Sequence, residues 1–199
     1  MRRKSIILLA LFLAGCGATP ETTEGTRGEW SNRAPHDASY EISFPDSWIG
    51  AQDILDDPSL WDAKFAGTSL EGQKEGGLTV FDAYAEISLL NTATTIEGSI
   101  ETFNLLPYLA YDNTLDNIRE TAKTNLETGG ARDVALETRT VAGHETLVID
   151  YRKTDMGFST SRQYYIIAQD KLWVFIFSGN NRSDTAHWDE IIESFTLKS

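Results

Sequence analysis

Six consecutive residues, Leu172-Trp173-Val174-Phe175-Ile176-Phe177, carry no polar side chain. A run of this length, rich in aromatic and β-branched residues, reads as a strand, and successive side chains of a strand point to opposite faces. Both faces are therefore buried, which requires a sheet covered on each side at its centre. Gln169-Asp170-Lys171 reverses the chain just before it.

The surrounding pattern supplies the rest of such a sheet. From Arg132 onward four strands follow one another, with Val134, Leu136 and Val141 in the first and Ala142-Gly143 as the turn. Leu147, Ile149 and Tyr151 mark one face of the second, Thr154-Asp155-Met156-Gly157 is the next turn, and Tyr164 to Ala168 lies in the third. Two amphipathic helices provide cover. Asn113 or Thr114 caps the first, Leu115, Ile118, Ala122 and Leu126 form its apolar stripe, and Gly129-Gly130 ends it. Ser183 or Asp184 caps the last, in which Trp188, Ile191, Ile192 and Phe195 fall on one face. These elements predict an α+β fold, an antiparallel β-sheet meander with helices on its faces.

Earlier in the chain, Tyr40-Glu41-Ile42-Ser43-Phe44-Pro45 alternates apolar and polar with period two and reads as a strand ended by its proline. Asp46-Ser47 then turns the chain so that Trp48 and Ile49 return as a short partner strand. A short helix is expected near Leu60 to Lys64 and a strand over Leu78 to Leu90. Between Thr94 and Tyr111 the expectation is a loop leading into an extended segment at Phe103 to Leu109, which Pro107 places at an edge or bulge.

The beginning of the sequence has a different character. Arg2, Arg3 and Lys4 precede an eight-residue apolar run, Ile6 to Leu13, and then Leu13-Ala14-Gly15-Cys16. Charge, short apolar core and small residues in that order read as a secretory signal, too short for the roughly 20 helical residues that span a bilayer. Leu-Ala-Gly-Cys also resembles the bacterial lipoprotein box, in which the signal is cut before a cysteine that carries diacylglyceryl and often an amide-linked acyl chain such as palmitate. Several chains make such attachment stable, at about 0.8 kcal/mol per buried methylene. The expected organisation is a signal over 1–15, a lipidated flexible tether over 16–39 rich in Gly, Thr, Glu, Pro and Ser, and a globular domain over 40–199. The expected address is a cell membrane, and in a Gram-negative cell the outer one, because Gly17 is not the aspartate associated with inner-membrane retention.

Cys16 is the single cysteine, so intramolecular disulfides and multi-thiolate metal sites are excluded, and its expected acylation leaves no thiol as a nucleophile. The chain has 17 Lys+Arg against 30 Asp+Glu; loss of Arg2, Arg3 and Lys4 with the signal takes the formal charge from −13 to −16. That charge disfavours nucleic acid as a partner, and also peripheral adhesion to anionic lipid.

The order of elements, from Tyr40-Glu41-Ile42-Ser43-Phe44-Pro45-Asp46-Ser47-Trp48 through the mid-chain helix, meander and apolar strand to the closing helix at Trp188 to Phe195, resembles the PsbP-like group. That group includes extrinsic proteins of the oxygen-evolving photosystem, Ran-binding Mog proteins and many bacterial lipoproteins of unassigned role. The resemblance covers Tyr40 to Leu197 and implies an α/β/α sandwich used for docking and assembly, with no shared catalytic residues. No manganese-retention or chloride motif of the photosystem members is present, so the resemblance does not extend to a photosystem role.

Candidate chemistry is sparse. His36, His144 and His187 are not paired at ligand spacing, and no nucleophile elbow, phosphate loop or dinucleotide fingerprint occurs. Asp53, Asp56, Asp57 and Asp62 are the densest acidic group, at spacings that match no calcium loop. Trp48, Trp61, Tyr108 and Tyr111 are candidate partner contacts, because aromatic residues outside a core anchor interfaces; the competing placement is packing beneath the 51–77 segment or across the sheet. The expectation is a membrane-anchored, non-enzymatic domain without cofactor that binds or helps assemble another envelope component. The alternative is an envelope small-molecule or metal-ion binding protein with a cleft beside the 51–77 segment.

Overall fold

The structure is a computed structural model and describes residues 30–34, 39–67, 71, 84–96, 99–153, 159–180, 183 and 185–198. Among them, in chain order, are β1 (Trp30–Arg33), β2 (Tyr40–Pro45), β3 (Trp48–Gly50), α1 (Ala51–Asp56), α2 (Ser59–Phe65), β4 (Ile87–Ile96) and β5 (Ser99–Leu109). There follow α3 (Leu115–Thr128), β6 (Ala131–Val141), β7 (His144–Lys153), β8 (Ser159–Ala168), β9 (Lys171–Gly179), α4 (Thr185–Glu193) and β10 (Thr196–Leu197).

Seven strands form an antiparallel sheet in the order β3-β4-β5-β9-β8-β7-β6. The apolar run is β9, in the middle position. Trp173, Phe175 and Phe177 point to one face and Leu172 and Val174 to the other, and all are buried. On the first face β2 lays down Tyr40, Ile42 and Phe44, while α4 adds Trp188, Ile191 and Ile192. Trp188 stacks on Phe177 with ring centroids 5.4 Å apart, and Phe44 meets Phe103 edge-on at 4.8 Å. On the second face Ile118, Ala122 and Leu126 of α3 cover Leu147, Ile149 and Tyr165. Nearer the β3 edge, Ile54, Trp61 and Phe65 of α1 and α2 close over Ile49 and Leu90. The result is the predicted α+β sandwich.

Local chemistry explains the element ends. The Thr114 hydroxyl accepts the Asn117 N–H, capping α3, and Gly129 receives its last turn. The β6–β7 and β8–β9 connections are two-residue hairpins with both residues in the left-handed region: Ala142 (φ 51) and Gly143 (φ 78), then Gln169 (φ 52) and Asp170 (φ 58). That geometry matches the twist of the flanking strands. Pro107 lies in β5 beyond the last β4 pair, Ile87↔Leu105, where β5 keeps only β9 as a neighbour and a missing amide donor is tolerated.

Several expectations are corrected. Trp48 and Ile49 do not return against β2; β3 pairs with β4, and β2 instead joins β1 and β10 in a separate three-stranded sheet. The strand expected over 78–90 begins at Ile87 and runs to Ile96, with 72–83 outside the described residues, and β5 already begins at Ser99 where a loop was expected. Residues 30–33, expected in the tether, form β1 on β2, so the folded domain starts before Tyr40. Residues 1–29, His36, the 154–157 turn and Asp184 lie outside the described residues. Among the described residues no helix is long and apolar enough to cross a membrane.

Candidate functional site

The most concentrated polar chemistry is a cluster on the first sheet face beneath α4, built from three adjacent strands. Arg162 of β8 is only 12% exposed and donates from Nε and Nη2 to the two oxygens of Asp150 on β7, at 2.6 and 2.9 Å. Its Nη1 donates to Asp189 Oδ2 at 3.0 Å and to the Thr185 carbonyl at 3.2 Å, both on α4. Asp189 Oδ1 accepts from the Tyr164 hydroxyl at 2.6 Å and also from Arg139 of β6. Burial works against the charge of Arg162, but its bonds to Asp150 prevail and hold it protonated more firmly than a free arginine. Burial, and the bond to the Asp189 carboxylate, push the Tyr164 phenol above its ordinary value of 10.0. Neither group exchanges a proton near neutral pH, so the arrangement is suited to clamping α4 onto the sheet rather than to general acid–base chemistry.

The second face carries a smaller buried chain: the Tyr165 hydroxyl donates to Gln163 Oε1 at 2.5 Å, and Gln163 Nε2 donates to Tyr151 Oη at 3.1 Å. Burial raises both phenols. Sequence reasoning missed these clusters. The available signal was charge inside a buried pattern: Asp150 between Ile149 and Tyr151, and Asp189 beside Trp188 on the apolar face of α4.

The acidic group at 53–62 is dispersed by the fold. Asp53 accepts from Arg33 Nη1 and Nη2 at 3.0 and 2.8 Å and from the Gly50 N–H at 2.7 Å. Burial acts to raise its carboxyl, but the Arg33 and Gly50 bonds outweigh that and hold it below the ordinary 3.8. Asp56 accepts from Gln52 at 2.6 Å, and Asp57 takes the backbone N–H and hydroxyl of Ser59 at the start of α2. These carboxylates serve helix ends, and among the described residues no group of three or more His, Cys, Asp or Glu is arranged to hold a metal ion. His187 packs edge-on against Trp30 with centroids 6.2 Å apart, while His144 begins β7.

Of the four aromatic candidates, Trp48 and Trp61 are fully buried, Trp48 in the main core and Trp61 against Phe65, so neither is a partner contact. Tyr108 is half-buried against the second-face cluster. Tyr111 is 77% exposed, two residues beyond Leu109 at 58%, and Tyr84 at 81% lies three residues before Ile87 of β4, which is paired with Leu105 of β5. Tyr111 also has a left-handed backbone, φ 47, which a bulky L-residue adopts at a cost of about 1 kcal/mol. The turn is pinned on both sides: the Ala110 N–H donates to the Asp170 carbonyl at 2.9 Å, and the Asn113 N–H and Nδ2 donate to the Ala110 carbonyl at 3.0 and 2.8 Å. The backbone that carries this exposed ring is thus fixed by a well-bonded turn.

Among the described residues, an antiparallel sheet lies between a helix-and-strand layer and a helix layer, which defines an α+β sandwich. No protein-family model and no curated protein sequence matches the chain. The cyanobacterial PsbP protein CyanoP of Synechocystis sp. PCC 6803 superposes with a TM-score of 0.52 at 19% identity, covering 94% of this chain and 99% of its own. The Ran-binding protein Mog1p of Saccharomyces cerevisiae gives 0.49 at 10% identity, over 85% of this chain and 96% of its own. LpqN of Mycobacterium tuberculosis, involved in cell envelope biogenesis, gives 0.48 at 11% identity, over 86% and 91%. The end-to-end likeness to CyanoP gives this chain a PsbP-like fold.

Proposed function

We propose that this chain is a lipid-anchored envelope protein whose PsbP-like domain, without a catalytic role, binds or helps assemble another envelope component. The sequence Leu13-Ala14-Gly15-Cys16 after a basic start and short apolar run supports the anchor, and Gly17 supports the outer membrane if the cell is Gram-negative. One observation carries the binding role. Tyr84, Leu109 and Tyr111 are large side chains exposed to solvent, in and beside the β4–β5–turn region at one end of the sandwich.

Affinity capture of the full lipidated chain from solubilised membranes tests this, run beside a Leu109→Ser/Tyr111→Ser variant. The expected result is one envelope protein recovered repeatedly with the wild type and reduced about tenfold with the variant, the loss of one good apolar anchor. Recovery of abundant contaminants alone from both contradicts it.

A further inference from the structure

We propose that the Tyr111 end of the sandwich is the docking surface and that its occupant is a basic segment of a partner protein, which lays an apolar side chain against Tyr84, Leu109 and Tyr111. This rests on the docking role above and adds the place and the chemistry of the partner. Three segments build the surface, 84–86, 108–116 and the β8–β9 turn at 169–171: the Glu86 N–H donates to the carbonyl of Leu105, three residues before Tyr108 on β5, and the Ala110 N–H to the Asp170 carbonyl, each at 2.9 Å. They contribute the carboxylates of Glu86, Asp112, Asp116 and Asp170 against one cation, Lys171. The Lys171 ammonium lies 5.0 Å over the Trp173 ring, turned back onto the fold. Exposed aromatic rings within an acidic rim complement Arg and Lys flanking an apolar anchor.

Backbone geometry and position point the same way. A pinned left-handed turn holds Tyr111 outward, so little ordering is left for the moment of binding. Trp30, from which the chain leads back towards Cys16, pairs with Pro45 at one end of β2. Tyr40, at the other end, pairs with Leu197, and the following Lys198 carbonyl accepts from Gln169 of the turn beside Tyr111. The surface therefore lies at the end of β2 remote from Trp30, and its carboxylates repel anionic lipid; a protein suits it better than a bilayer.

The test is in-cell photocrosslinking with the full lipidated chain, placing a photoreactive phenylalanine analogue at position 109, at position 111 and, on an outward position of α3, at 123. The same protein adduct is expected at 109 and 111 and not at 123, on a peptide with more Lys and Arg than Asp and Glu. Its yield at 109 should fall about tenfold in Glu86→Lys/Asp112→Lys. Tyr111→Gly, which removes the ring and suits the backbone, should reduce affinity capture by up to about tenfold without lowering the thermal midpoint. A protein adduct only at 123, an acidic partner peptide, lipid adducts at 111, or insensitivity to charge reversal overturns this surface while leaving docking itself intact. The same holds for no adduct at all when affinity capture still recovers a partner. No adduct together with no captured partner overturns the docking role as well.

Discussion

Arg162 is the residue on which the first-face polar cluster depends, since among the described residues it is the one that joins the carboxylates of Asp150 and Asp189. Arg162→Met leaves both without that cation and is expected to destabilise the fold by about 2–3 kcal/mol, below the 3–5 kcal/mol of a fully buried pair because both acids keep partial access to water. Urea unfolding followed by tryptophan fluorescence measures this; an unchanged midpoint and slope would mean the cluster does not clamp α4. Asp53 makes a pH-dependent prediction. Its folded carboxyl is held below 3.8, so the Arg33 pair contributes fully above that pH and its contribution is lost as pH falls through the depressed folded value. Arg33→Met should therefore be less stable than wild type at about pH 7, and the gap should narrow at about pH 3. A gap that widens in acid contradicts the pairing.

Helix α4 is the element that seals the first face, and Trp188 is its largest contribution to the core, buried against Phe177. Trp188→Ala is expected to cost about 4 kcal/mol, measured by chemical denaturation, with the near-UV aromatic signal weakened in whatever remains folded. A cost under about 1 kcal/mol would place α4 outside the cooperative core. Such elements were legible because their signals are local: the stripe of α3, the spacing of Trp188, Ile191 and Ile192, and the apolar run that became β9. Elements set by distant partners were not. β1 is four residues, Trp30-Ser31-Asn32-Arg33, with no apolar alternation. It is fixed by non-local polar contacts, Arg33 to Asp53 and Asn32 Nδ2 to Glu41 Oε1 at 2.5 Å. Likewise β3 has only three residues and its partner, β4, lies beyond two helices, so no nearby pattern reveals the pairing. Aromatic content alone did not separate Trp48 and Trp61, buried by β2 and by α1–α2, from Tyr111, which the β5–α3 turn leaves in solvent.

At the scale of the whole molecule, the PsbP-like sandwich uses both sheet faces for its own core, and the proposed contact lies at one end. The first described residue and the proposed docking end have separate locations: Trp30 pairs with Pro45 at one end of β2, while Tyr111 follows the end of β5 that pairs with the start of β9. On the proposed reading, a domain of formal charge −16 after signal removal is repelled by anionic headgroups, so the proposed anchoring would rest on the acyl chains. The most direct measurement is mass spectrometry of the N-terminal peptide from protein extracted from membranes. Anchoring predicts a peptide that begins at Cys16 and carries diacylglyceryl on sulfur, and it predicts that Cys16→Ser moves the protein out of the membrane fraction. An N-terminus elsewhere, or a Cys16 thiol without lipid on membrane-bound protein, would contradict it.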